Sequence, residues 1–419
     1  MNILFLSDNF PPEVNAAATR VFERAVYWAK WGHKVTVITC APNFPVGKVY
    51  AGYKNKWYQR ERVSGIDVVR VKTYIAKNEG FFKRTLDFLS YMFMAIFAGS
   101  ILKKPDIIVS TSPQFFTAVG GHLLGKIKRV PFVFEISDLW PESIKAVGAM
   151  KNEKILTMLE NLEIFLYKKS KHIIAQTPSF KLNLISRGVD PEKISVIMNG
   201  VDTSLYFPKE KSKTVCDKFG ILSGQVVVGY VGTHGMAHDL MTVLKSAESM
   251  QEVNEVKFIF LGEGATKKYL QQYRANNDIE NVSFYSAVSK KEMLSIWPIF
   301  DIVLIPLLNK EAFSRVVPSK IYEAMAMGKV IVLMAPEGEA SRLLLENKAG
   351  IHILPENHTL LEETIIYLIS NPKETDRLSK NAREAALKNT REMQAKKMIA
   401  VLMNSSEKRT FPEPRVERK

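Results

Sequence analysis

Twelve short runs of β-branched and apolar residues, most of them followed by a stretch of helical character, constrain this chain more than any other feature. The first six are NILFLS, KVTVIT, DIIVST, PFVFEIS, HIIAQT and ISVIMN; the second six are VVVGYVG, VKFIFLG, NVSFYS, DIVLIPL, VIVLM and GIHIL. Most are near-continuous apolar runs, as strands covered by helices on both faces must be. Alternating βα units of this kind predict an α/β protein with open parallel sheets. The two sets predict two domains, and 419 residues at 46% hydrophobic content suffice for two buried cores. The polar, turn-rich stretch NGVDTSLYFPKEKSKTVCDKFGILSGQ separates the sets, which places the boundary near Phe207. Residues 1–206 form one domain on this reading and residues 207–385 the other. The last helical stretch, Pro372 to Met403, is longer than one domain needs, and the tail SSEKRTFPEPRVERK has the composition of a disordered segment.

In open α/β sheets ligands bind outside the carboxyl ends of the strands, so the loops after the strands carry the candidate chemistry. The first, SDNFPPEVNAAATR, has two prolines and no glycine, which disfavours a dinucleotide fold; Asn15 and Arg20 stand in it as a helix cap and a helix-face cation. GGHLLGKI nearly spells a phosphate-binding loop, but Ile127 replaces the hydroxyl that would hold magnesium, and the stretch lies within a helix. EISDLWPESI sets Asp138 and Glu142 at a carboxyl edge, where two acids either start a helix or do acid-base work. VGYVGTHGMAHDL brings glycines together with Thr233, His234 and His238, and both histidines can donate to phosphate oxygens. After DIVLIPL come Arg315, Ser319, Lys320 and Glu323, with Ser319 a plausible helix cap. Glu323 is one residue past the capping-box position, so a carboxylate beside the anion site of a helix start is free to orient a ligand's hydroxyls.

Net charge is +15, from 58 basic and 43 acidic residues. The excess lies mainly in residues 1–205, which hold 28 Lys and Arg against 17 Asp and Glu. A basic half suits phosphorylated ligands, an anionic membrane or nucleic acid. Nucleic acid fits poorly, because the charges are dispersed and no basic-aromatic motif of a binding module occurs. Cys40 and Cys216 are the only cysteines, so neither a disulfide framework nor a thiolate metal site is expected, and a reducing cytosol fits. The start MNILFLSDNF lacks the basic region of a signal peptide. KRTLDFLSYMFMAIFAGSILKK carries no charge from Phe88 to Leu102 and is basic at both ends. It is too short to span a bilayer comfortably and reads either as a core helix or as an interfacial helix on anionic lipid.

Taken together, FPPEVNAAATR, GHKVTVIT, PNFPVGKVY, DLWPES, NGVD, FLGEG and PSKIYEAMAMGK resemble the bacterial family 4 glycosyltransferases, within them the subgroup making O-antigen and capsule. The resemblance covers almost the whole chain. It implies a GT-B fold: two Rossmann-like domains face each other across a cleft, a helix over 386–405 crosses back to the N-terminal domain, and residues 406–419 trail as a disordered tail. It also implies sugar transfer, with retention, from a UDP-sugar to a polyprenyl-diphosphate-linked saccharide. The enzyme would work peripherally at the anionic inner face of the plasma membrane, in the cytoplasm, with no cofactor or metal.

Residue by residue, the resemblance makes Glu323 the second acid of a Glu-x7-Glu motif and a ribose ligand. Arg315 stands at the first acid, a departure. Thr233 and His238 stand where the family has the cations that neutralise the diphosphate, so Arg315 and Lys320 would supply charge instead. Val288 would meet the base through its backbone, and Asn15 stands where many members have a glycine near the phosphates. Ser137 replaces a histidine facing the sugar, while Asp138 beside it matches. Two other readings stay open: a nucleotide-sugar-binding protein without transfer activity, and a basic nucleic-acid-binding protein.

Overall fold

A computed structural model of the chain describes residues 1–407 except 45–46, 76–80, 113, 147, 149 and 151. Among the described residues there are fourteen strands: β1 Asn2–Leu6, β2 Lys34–Cys40, β3 Tyr58–Val63, β4 Ile66–Val71, β5 Ile107–Thr111, β6 Phe132–Ile136, β7 His172–Ala175, β8 Ile194–Val196, β9 Val226–Val231, β10 Val256–Leu261, β11 Val282–Tyr285, β12 Ile302–Pro306, β13 Val330–Met334 and β14 Gly350–Ile353. The first eight form one sheet in the order β3-β4-β2-β1-β5-β6-β7-β8, the remainder a second in the order β11-β10-β9-β12-β13-β14. Every neighbouring pair is parallel except β3 with β4. The α/β architecture of two parallel, Rossmann-like sheets is therefore the expected one.

The hairpin β3–β4 was not among the twelve predicted runs. YQRERV alternates polar and half-buried positions at a sheet edge and so lacks the apolar run that marks the buried strands. The signal for it is the pair Ser64-Gly65, both at positive φ (49° and 85°), as a two-residue hairpin turn requires.

One face of the first sheet packs against helices Phe81–Ile101, Phe115–Lys128 and Glu153–Lys169. The opposite face receives helix Ala16–Lys30 together with the last helix, Arg391–Ser406, through Ala395, Met398, Ile399 and Leu402. The Trp28 indole N–H donates to the Ala395 carbonyl at 3.0 Å. The long C-terminal helical stretch is in fact two helices. Pro372–Leu387 covers the second sheet, and the chain then turns at 388–390. There Thr390 bridges to Val201 and the Arg391 N–H donates to the Val201 carbonyl at 2.9 Å. Gly200 makes this crossing possible, since a Cβ would lie 2.7 Å from the Asn389 carbonyl oxygen. The C-terminal helix thus crosses back to the N-terminal domain. Of the expected tail, Ser406 closes that helix, and residues 408–419 lie outside the described residues.

Helix Phe81–Ile101 packs as a core helix on one side, where Tyr91, Met92, Ala95 and Ala98 are buried, while Leu86, Phe93, Phe97 and Ile101 on the opposite side are exposed. Among the described residues no helix is long and apolar enough to cross a membrane. The near phosphate-loop GGHLLGKI lies inside helix Phe115–Lys128 and not in the turn between β5 and that helix.

Candidate active site

Both sheets reverse their strand order beside their first strand, between β1 and β5 and between β9 and β12. A crevice opens at such a point because the flanking loops turn to opposite sides. The loops after β1 and β6 bring Asn15, Arg20, Asp138 and Glu142 to the carboxyl edge of the first sheet. Those after β9, β11 and β12 bring Thr233, His234, His238, Val288, Arg315, Ser319, Lys320 and Glu323 to that of the second. Among the bonds that join the edges, the Arg315 guanidinium pairs with the Glu142 carboxylate, and the Thr177 hydroxyl donates to the Arg315 carbonyl at 2.8 Å.

The glycine-bearing loop after β9 lies flat on the loop after β10. A Cβ at Gly262 would sit 1.8 Å from the Gly232 carbonyl oxygen, and one at Gly264 would sit 2.2 Å from that of His234. This contact corrects the expectation for His234. Its ring is fully buried among Tyr230, Phe260 and Phe284, so neither nitrogen reaches a ligand, and burial with Lys267 nearby pushes its pKa down to about 4. Thr233 is exposed, with its carbonyl accepting from the Tyr230 hydroxyl at 2.7 Å. His238 sets Nδ1 3.3 Å from the Pro306 carbonyl at the end of β12, and burial lowers its pKa, so it meets the cleft as a neutral imidazole. Val288 is half-buried against the second core, beside the capping box of Ser289 and Glu292.

Helix Ser319–Ala326 begins one residue earlier than its sequence suggests. Pro318 is the N-cap and Ser319 the first helical residue, so no side chain caps the start. Pro318 fixes its own φ and provides no hydroxyl, which leaves first-turn N–H groups and the positive end of the dipole open at the carboxyl edge of β12. Lys320 Nζ donates to Glu323 Oε2 at 3.0 Å, holding cation and carboxylate together over that start. Burial, and next the charge of Glu323, raise the Tyr206 hydroxyl far above its ordinary value. Arg315 departs from its expected role as a phosphate cation, because its guanidinium already bonds Glu142 and Glu311.

On the facing edge Asn15 caps helix Ala16–Lys30, its side chain accepting from the Ala18 N–H at 2.8 Å. Arg20 is another correction: it is buried at 3% exposure, 3.2 Å from Glu135 Oε1 and 3.1 Å from the Thr111 hydroxyl. A guanidinium so enclosed orders the loop after β5 and does not meet a ligand. Burial alone would raise Glu135, yet Arg24 and Arg20 hold its carboxyl below the ordinary range. Ser112, which sequence reasoning passed over, anchors the next strand end: its Oγ accepts from the Ser137 N–H at 2.8 Å and its carbonyl from the Ser137 hydroxyl at 2.5 Å. Asp138 follows, taking a hydrogen bond from the Ser143 hydroxyl at 3.0 Å; burial pushes its pKa up to about 6, and neighbouring Glu142 adds to the rise. Glu339 was also missed. Mostly buried on the second domain, it accepts from the Ser179 N–H at 2.7 Å and so caps helix Pro178–Ser186 of the first. Among the described residues no three His, Cys, Asp or Glu side chains are grouped to hold a metal ion.

Residues 17–205 match the family model for Glycosyltransferase Family 4, and residues 213–385 match that for Glycosyl transferases group 1. The chain belongs to glycosyltransferase family 4. It is 23% identical over 363 residues to WcaI of Escherichia coli (strain K12), described as a colanic acid biosynthesis glycosyl transferase; the match covers 85% of this chain and 88% of that one. Alpha-galactosylglucosyldiacylglycerol synthase of Streptococcus pneumoniae is 22% identical over 270 residues, 62% of this chain and 67% of that one. Among solved structures, HepE of Anabaena in complex with UDP and glucose superposes with a TM-score of 0.71 at 17% identity, covering 97% of this chain and 100% of that one. The fold is GT-B, and this glycosyltransferase acts in polysaccharide or glycolipid biosynthesis. In the family 4 enzyme the two carboxyl edges differ in charge. The first sheet contributes the acids Asp138 and Glu142, the second the open helix start with Lys320.

Proposed function

We propose that this enzyme transfers a sugar, with retention of configuration, from a UDP-sugar to a lipid-linked acceptor of the polyprenyl-diphosphate saccharide type. The observation that carries the donor reading is the uncapped start of helix Ser319–Ala326 with the Lys320–Glu323 pair beside it. The diphosphate takes the free N–H groups and the Lys320 ammonium, and the ribose hydroxyls take the Glu323 carboxylate. As the glycosidic bond breaks, negative charge grows on the leaving phosphate, where helix dipole and ammonium already point; groups preorganised in this way lower the barrier without reorganising. Thr233 and the neutral His238 line the same side and add neutral donors or acceptors. The Val288 backbone meets the base. From the opposite edge Asp138, ionised above about pH 6, faces the positive charge that builds on the sugar ring. Asn15 and Glu142 border the acceptor side. In this reading protein groups alone carry the diphosphate charge, and no metal or cofactor enters.

A lipid acceptor implies work at the anionic inner face of the plasma membrane, on the cytoplasmic side. The glycolipid name of the pneumococcal relative and the UDP found in HepE support acceptor and donor respectively. Incubation of the full chain with a panel of UDP-sugars and a polyprenyl-diphosphate sugar, read by mass spectrometry, tests the whole reading. Addition of one hexose or N-acetylhexosamine mass to the lipid is expected. UDP binding with no product from any donor would favour a binding protein without transfer.

A further inference from the structure

The outer side of helix Phe81–Ile101 is apolar where a solvated helix would be polar. Leu86, Phe93, Phe97 and Ile101 are 52, 64, 61 and 63% exposed. At about 100° per residue they fall in one stripe. The neighbouring helix Phe115–Lys128 adds Leu123 and Ile127, one turn apart and 39 and 56% exposed. The two helices are held tightly side by side: a Cβ at Gly99 would meet Leu124 at 2.3 Å, and Lys128 Nζ donates to the carbonyls of Ser100 and Leu102, both at 2.6 Å. Their apolar exposures therefore form one rigid face. A contiguous patch of this kind, rimmed by charge, marks a surface that meets another apolar phase.

The rim is basic. Lys83, Lys103, Lys104, Lys126 and Arg129 are exposed around it, and residues 88–102 together with the whole of Phe115–Lys128 contain no acid. Five like charges argue against a second copy of the chain, because a two-fold interface would set them against each other and interface cores are depleted in Lys. The described chain ends at Glu407 after a helix on the opposite face of the sheet, so no described segment covers the patch. The position of the patch has a direction too. Gln114, just past the carboxyl end of β5, donates to the Phe88 carbonyl at 3.2 Å, so the helix begins at the rim of the cleft and runs away from it.

We propose that this two-helix face docks on the surface of an anionic lipid bilayer. Phe93, Phe97 and Ile101 enter the boundary of the acyl chains and the lysines meet headgroup phosphates, which sets the mouth of the cleft beside the headgroups. The docking itself needs no nucleotide; only its use for acceptor delivery rests on the lipid-acceptor reading above.

Flotation of the full chain with phosphatidylglycerol–phosphatidylcholine vesicles, and with phosphatidylcholine alone, at low and high salt and without nucleotide, is the test. Binding to the anionic vesicles that weakens with salt is expected. The pair Phe93→Gln/Phe97→Gln and, separately, the pair Lys83→Glu/Lys104→Glu should each lower the vesicle affinity about tenfold or more. Both variants should keep the wild-type thermal transition. Phe93→Trp should show a blue-shifted emission that brominated lipid quenches. Wild type that does not float, or a glutamine pair that floats equally well, overturns the proposal. So does a wild-type dimer that the glutamine pair converts to monomer. Absence of UDP binding in a chain that still floats would count against the donor reading alone.

Discussion

Arg315 and Glu142 form an ion pair that joins the second domain to the first across the cleft, between residues 173 positions apart in sequence. Arg315 occupies a place where the family resemblance leads one to expect an acid, and its partner lies beside Asp138. The pair therefore ties the donor edge to the edge that carries the ionisable carboxylate. Both side chains are partly open to water, so its worth to stability is small, of the order of 1 kcal/mol or less.

Arg315→Gln should leave UDP affinity within about twofold and reduce turnover more than donor KM, because it loosens the closed arrangement and not the diphosphate site. Calorimetry and initial rates separate the two. A loss of UDP affinity of tenfold or more would show that Arg315 leaves Glu142 and Glu311 to hold the diphosphate.

Glu323→Ala should weaken UDP binding by about 1 to 3 kcal/mol, the scale of hydrogen bonds to a charged partner, without unfolding the chain. Glu323 bonds Lys320 on its own helix, so its removal exposes no buried partner. Unchanged affinity in calorimetric titration with UDP would remove the ribose assignment.

Asp138 gives a prediction with a sign. Burial raises its carboxyl from 3.8 to about 6, so in the folded chain the charged form is disfavoured. Below 3.8 the folded and unfolded chains both carry the proton and no cost arises; above about 6 the folded chain bears the charge at full cost. Asp138→Asn should therefore raise the thermal transition near neutral pH, and the gain should vanish as pH falls through this window. Its turnover should fall on the order of 10²-fold, and in the wild type kcat should rise with pH around the same value. A variant less stable than wild type near neutral pH would mean that the carboxylate is held by contacts that outweigh its burial.

If the uncapped helix start and Lys320 carry the diphosphate charge as proposed, transfer should survive EDTA. Rates measured after exhaustive chelation, with and without added magnesium or manganese, decide this. Activity lost in EDTA and restored by either ion would place a metal in the donor site.

Much of the architecture was legible in order and in kind. The twelve apolar runs became strands, and the loops after them met at two carboxyl edges because parallel sheets leave no other arrangement. Edge strand β3 escaped because YQRERV is mostly polar, and β4 because Asp67 and Arg70 interrupt its apolar run. The break between the last two helices lies at 388–390, just past the 386 that the resemblance implies, and its cause lies at Val201 and Gly200, far back in the chain.

At the site the division follows the range of the forces involved. Sequence alone placed Glu323 at a helix start, Asp138 after a buried strand and a glycine loop after β9, since strand periodicity, helix starts and turn chemistry depend on residues a few positions apart. Only the tertiary structure showed that His234 is sealed among three aromatic rings, that Glu135 encloses Arg20, and that Arg315 spends its charge on Glu142 and Glu311. Burial and charge pairing are settled by groups brought close from distant parts of the chain. The residues that share a local pattern can therefore be read in advance, whereas which of them remain free to meet a ligand is decided by packing.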